Sequence, residues 1–159
     1  MNAPELWMES YQGEVLGETV FGWLADREEN PERRSQLQTL TRLERSTKEL
    51  AEPVFARRGI ERGDTEATVA QALELAGAVI DMPWDDFVAG ILPLTVEFLA
   101  KYRQLVELAL DDFERLIAEA YVEHEEALAS FARRTIGQEP GEPLERILAL
   151  PHMAVAASG

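Results

Sequence analysis

Apolar residues recur three or four apart along most of this chain, the spacing of one face of an α-helix. Phe113, Ile117, Ala120, His124, Ala127 and Phe131 trace one such face. Trp7, Tyr11, Glu14, Glu18, Phe21 and Ala25 trace a second, and Leu37, Leu40, Glu44, Thr47, Ala51 and Val54 a third. Ile91, Leu94 and Phe98 mark a fourth. No stretch alternates with the period of two that a half-buried strand needs. The pattern predicts an all-α chain with four long helices, over 4–26, 31–58, 84–108 and 112–137.

The punctuation between these segments agrees. Asn30-Pro31-Glu32 is a start signal: a capping side chain, a proline where its missing N–H costs nothing, and an acid near the positive end of the helix dipole. Gly59 follows two arginines and predicts a stop, with Pro53 kinking the last turn. Asp64 predicts the cap of a shorter helix over 65–80. "DMPWDDF" reads as a break and a new start, and Pro93 interrupts the third long helix. Without a further turn, residues 84–134 would run about 75 Å at 1.5 Å per residue, too long for this chain. Asp111 followed by Glu114 resembles a capping box, so the turn is placed there. "QEPGEP" reads as a linker, residues 143–150 as a short helix, and the remainder as an apolar tail. The predicted organisation is a helical domain over 1–137, then linker, short helix and tail over 138–159. Short first and third connections with a long second one, itself holding a helix, predict a four-helix bundle with one long crossover.

Three of these apolar faces turn polar near mid-helix. Glu14 and Glu18 sit on the first, Glu44 and Thr47 on the second long helix, and His124 on the last. Glu97 is the lone acid between Asp86 and Glu107 and borders the third face. In a bundle the midpoints meet. A buried ionised carboxylate without a partner costs several kcal/mol, and converging glutamates repel one another and take up protons. A divalent or trivalent cation removes both problems, and carboxylates with imidazole suit iron, manganese or zinc. Each residue also has a plainer reading. Glu14 fits a surface position on a helix phased differently, and Glu18 a rim position. Glu44 has Arg42, Arg45 and Lys48 for ion pairing. Glu97 and Lys101 make an i,i+4 pair. His124 fits a hydrogen-bonded core histidine, Thr47 and Tyr121 fit packing roles, and Glu123, Glu125 and Glu126 fit a solvated face. The three tryptophans fit core or interface anchors, and His152, in the tail, carries no inference.

Composition narrows the classes. The chain has 159 residues, 46% hydrophobic and 28% charged, with 30 acids against 15 bases and a formal net charge of −15. So acidic a surface repels phosphate backbones and anionic lipid headgroups, which disfavours nucleic-acid and membrane partners. With no cysteine, disulfides, thiolate catalysis and cysteine-held zinc or iron–sulfur clusters are excluded. "MNAPELWMES" lacks the basic and apolar regions of a signal peptide, and the apolar runs fall short of a membrane span. A cytoplasmic location is the expectation.

The pattern resembles the ferritin-like superfamily of carboxylate-bridged di-metal proteins, whose bundle takes a Glu from each of two helices and Glu-x-x-His from each of the other two. "YQGEVLGE" offers Glu14, "RLERST" offers Glu44 with Thr47 where the family has His, "LTVEFL" offers Glu97, and "AYVEHEEAL" offers His124 with Tyr121 where the family has Glu. The likeness spans residues 5–135 at the level of architecture, with neither Glu-x-x-His intact. It implies a metal site of Glu14, Glu44, Glu97 and His124, holding iron or manganese. The alternatives are a di-metal site completed by Glu18, Glu123 or water, and a metal-free relic. The resemblance implies O₂ or peroxide as the small-molecule partner, with Tyr121 hydrogen-bonding an exogenous ligand or relaying electrons. The competing class is a non-enzymatic helical interaction module, monomeric or homodimeric, whose acidic exterior recognises a basic partner.

Overall fold

The computed structural model describes residues 1–158, with side chains described as far as Ala154; Gly159, the last residue of the expected tail, lies outside the described residues. Among the described residues every regular element is helical. The chain divides into two compact units, the first Met1–Asp81 and the second starting at Met82. The dividing point falls inside "DMPWDDF", the segment predicted as a break.

The first unit holds α1 (Ala3–Arg27), α2 (Pro31–Leu50), α3 (Glu52–Arg58) and α4 (Thr65–Val79). Local chemistry explains their ends. Asn2 caps α1 by accepting from the Glu5 N–H at 2.9 Å, while Glu5 accepts from the Asn2 N–H at 3.1 Å. This is a reciprocal capping box. Asn30 caps α2 by accepting from the Arg33 N–H at 3.0 Å, and Asp64 caps α4 by accepting from the Ala67 N–H at 3.0 Å. The single helix expected over 31–58 is instead two. A proline ring clashes with the carbonyl four residues back, which for Pro53 is Glu49, so α2 ends at Leu50 and the chain restarts after Ala51. Gly59 ends α3 at φ 63°, left-handed backbone that glycine adopts without a Cβ penalty.

Helices α1 and α2 form an antiparallel hairpin: Glu18 meets Arg45 and Lys48, and Gly22 meets Thr41, while Tyr11, earlier on α1, donates to Glu52 at the start of α3. Helix α4 also packs on α1, turning Ala72 and Ala76 inward. The α3–α4 loop is pinned by Gln12, whose amide donates to the Arg62 carbonyl at 2.6 Å. The core of this unit includes Leu6, Trp7, Val15, Phe21, Leu37, Leu40, Leu43 and Phe55.

The second unit holds α5 (Trp84–Ala89), α6 (Ile91–Glu107), α7 (Asp112–Thr135), α8 (Glu145–Leu148) and α9 (Pro151–Ser158). Pro93 breaks the expected 84–108 helix, as predicted, but the break lies at Gly90, next to the Ala89 carbonyl that the proline ring would strike. The turn before α7 forms where the cap predicted it. Asp111 accepts from the Glu114 N–H at 2.9 Å, and Glu114 reaches past the cap to accept from the Leu110 N–H at 2.7 Å. Helix α7 packs on α5, α6 and α8.

Residues beyond 137 are part of this unit. Glu139 accepts from Ser130 and from Arg134, the latter at 2.6 Å. Arg134 also donates to the Glu142 carbonyl at 3.0 Å. Ile147, Leu150 and Met153 are buried. No helix among the described residues is long and apolar enough to cross a membrane.

Candidate functional site

Glu14 lies at mid-length on α1, between Tyr11 and Val15, and is 1% exposed. The first face was therefore phased correctly: Trp7, Tyr11, Glu14, Phe21 and Ala25 are all buried. Glu18, one turn further on, sits at the rim. It accepts from Lys48 at 2.6 Å and from Arg45 at 2.8 Å. Partial burial would push its carboxyl up, but the hydrogen bonds from Lys48 and Arg45, with their positive charges, outweigh that and hold it below the usual range. Glu18 is thus occupied as an ion-pair partner of α2.

Glu44 is 5% exposed, and the whole face Leu37–Leu40–Glu44–Thr47–Ala51–Val54 is buried. Arg45 and Lys48, two of the bases beside Glu44 in sequence, turn to Glu18. The end of Glu44 crosses to α1 and lies over Gly17. A Cβ at Gly17 would stand 2.7 Å from the Glu44 Cδ and 2.8 Å from its Oε1, closer than van der Waals contact allows. The first unit therefore holds two buried carboxylate side chains, from α1 and α2, with Glu14 and Gly17 one turn apart on α1.

In the second unit His124 is 0% exposed at mid-length on α7. Its Nε2 lies 3.3 Å from the Glu125 Oε2, and Glu125 is itself 4% exposed. Tyr121, one turn before His124, is fully buried and meets Tyr102 of α6 edge-on, with ring centroids 5.1 Å apart at 87°.

The sequence grouped Glu125 with a solvated face, and the structure corrects this. The buried face of α7 runs through Ile117, Ala118, Tyr121, His124, Glu125, Leu128, Phe131 and Ala132. Its centre is rotated from the line drawn through Phe113 and Ala120; Phe113 is 45% exposed. The signal for it is the 3-4-3-4 spacing Ala118–Tyr121–Glu125–Leu128–Ala132, as regular as the line through Phe113 and Ala120. Glu123 is exposed, and Glu126 faces Arg103 at 3.5 Å and Arg146 at 3.8 Å.

Glu97 does not join the buried set. Its side chain is 60% exposed, and Lys101 stands 3.5 Å from it, the i,i+4 pair that was its plainer reading. The buried face of α6 runs through Ile91, Thr95, Tyr102 and Leu105.

His152 gains a role the sequence did not suggest. On α9 it is partly buried, and burial, with a smaller contribution from the positive charge His124 can carry, pushes its imidazole down to about 4. It is held neutral near pH 7.

The arrangement thus offers buried oxygen donors at Glu14, Glu44 and Glu125 and a buried imidazole at His124. These are donors that hold hard or borderline metal ions, and no thiolate is present to redirect the choice. Comparison with known proteins adds no family: no protein-family model, curated protein or solved structure matches the chain.

Proposed function

We propose that this chain is a metal-binding helical protein of ferritin-like architecture, with iron or manganese held by buried carboxylate and imidazole side chains; the candidates are Glu14 and Glu44 in the first unit, and His124 and Glu125 in the second. Bound there, such an ion supplies Lewis acidity or one-electron chemistry toward O₂ or peroxide.

One observation carries the reading. Three glutamates and a histidine lie buried at mid-helix positions where an apolar side chain is the ordinary occupant. Taking such groups out of water is costly, and metal ligation is one of the few returns that outweighs the cost. The donor types also fit. Glu125 beside His124 supplies the second-position carboxylate that orients a ligating imidazole or joins it in ligation. Tyr121 is placed one helical turn from His124 with its ring fixed by Tyr102. Its part is to hold a hydrogen bond to a small ligand or to pass an electron. Glu97 and Glu18 stand outside the proposed set, because both face basic side chains instead.

The test is elemental analysis of protein purified without chelator, repeated on Glu44→Ala and His124→Ala with far-UV circular dichroism as a folding control. Stoichiometric metal in the parent and its loss from both folded variants is the expected result. Trace metal that does not change between parent and variants overturns the reading and leaves the metal-free interaction module.

A further inference from the structure

Gly17 is an unexpected residue in the middle of α1. Glycine there costs helix stability relative to alanine through backbone entropy, and its helical neighbours need no special backbone angle. The space its missing Cβ leaves is filled by one group, the end of the Glu44 side chain from α2. We propose that Gly17 is the positioning residue for Glu44: it opens a slot in the α1 surface, and the slot fixes where the Glu44 carboxylate stands.

Gly22, the next glycine facing α2, shows that a close helix approach does not by itself require this. A Cβ at Gly22 would stand 3.4 Å from Thr41 Cγ2, an ordinary contact. At Gly17 the corresponding distances are 2.7 and 2.8 Å, so alanine cannot be accommodated without moving something. The atoms struck are the far end of a side chain with three rotatable bonds. The carboxylate is therefore what moves, while the backbones of α1 and α2 keep their places. Glu44 is buried, so its displaced carboxylate must find a new position inside the packed hairpin.

The functional part of this inference rests on the metal-binding reading; the steric part does not. Two measurements separate them. The first is a thermal-denaturation cycle over the parent, Gly17→Ala, Glu44→Ala and the double variant, with Glu44→Ser as a second short-side-chain background. With Glu44 truncated, Gly17→Ala raises the melting temperature by about 2–4 °C, the gain of a better helix former. With Glu44 present the gain vanishes or reverses. An equal rise in both backgrounds overturns the proposal.

The second measurement is iron and manganese content with titrated affinity. Gly17→Ala keeps its helical circular dichroism but loses metal affinity by roughly tenfold or more, in line with other changes to groups that position a ligand. Gly17→Ala with Glu44→Asp, one methylene shorter, regains part of it. Parent-like affinity in folded Gly17→Ala overturns the positioning role. Should the parent itself hold no metal, the proposed function falls, and the thermal cycle still decides whether Gly17 is shaped for Glu44.

Discussion

Glu18 on α1 and Lys48 on α2 stand 2.6 Å apart across the first hairpin, and Arg45 reaches the same carboxylate at 2.8 Å. The pair is partly screened, so Glu18→Gln is expected to cost about 1 kcal/mol at pH 7. The folded-state carboxyl is held below its ordinary value. Its contribution is therefore complete above the unfolded-state value and disappears as pH falls through the folded one. Urea denaturation of parent and variant should show a gap at pH 7 that narrows as pH falls below the ordinary carboxylate range. A gap independent of pH would mean that the loss is one of packing.

Helix starts were the most legible feature of the sequence, and the reason is range. Asn30, Asp64 and Asp111 act on N–H groups three residues away, so the whole interaction lies inside one short string. Proline breaks were legible to within a few residues, because the clash falls on a carbonyl upstream of the ring and not at the proline itself. Most of the buried face of α2 is legible, since Leu37 and Leu40 share one line with the polar pair Glu44 and Thr47; Leu43, also buried, lies beside that line. In α6 and α7 the lines were ambiguous. Leu94 looked like a core residue and Thr95 did not. Yet Thr95 satisfies its hydroxyl by donating to the Leu92 carbonyl at 2.7 Å and is buried, while Leu94 is exposed. In α7 several alanines left two adjacent faces equally apolar, and Glu125 was lost with the one not chosen. The clasp around Glu139 was illegible, because it depends on how a proline- and glycine-rich stretch folds back on α7.

The cap of α7 is a sharp place to test helix initiation, because Asp111 and Glu114 together satisfy two N–H groups at the α6–α7 turn. Asp111→Ala removes one acceptor and is expected to cost about 1 kcal/mol, whereas Asp111→Asn or Asp111→Ser keeps most of it. Chemical denaturation of the three variants checks the order. Equal losses in all three would locate the effect in the charge of Asp111 and not in its capping.

Glu139 binds the residues after α7 back onto that helix. Hydrogen bonds from Ser130, then Arg134 and Arg133, hold its carboxyl at about 2 against an ordinary 4.5. A depressed carboxyl stabilises the folded chain above its unfolded value and ceases to do so as pH falls toward the folded one. The clasp is thus complete at neutral pH, weakens below pH 4.5 and is lost near pH 2. Carbon-detected NMR titration of Glu139 should give a midpoint near 2. Glu139→Gln should speed limited proteolysis in the stretch 138–143 at pH 7, and Ser130→Ala should do so more weakly. Unchanged cleavage in both variants would show that packing of α8 on α7 holds the segment without the clasp.

His152 loses stability on acidification as the carboxylates do, but in a separate pH window and from another cause, burial of the neutral imidazole instead of pairing of a charged group. Its imidazole is held down to about 4, first by burial and then by the charge that His124 can carry. In the unfolded chain it titrates near its ordinary 6.5. Between these values the unfolded state binds the extra proton and the folded state does not, so stability falls as pH drops from about 6.5 to about 4. The expected measurement is a urea midpoint in chelator-treated protein that declines across that interval, and declines less in His152→Gln. A ring-proton titration of His152 with its midpoint near 6.5 would place the imidazole in water instead of against the second unit's interior, and would remove this source of acid sensitivity.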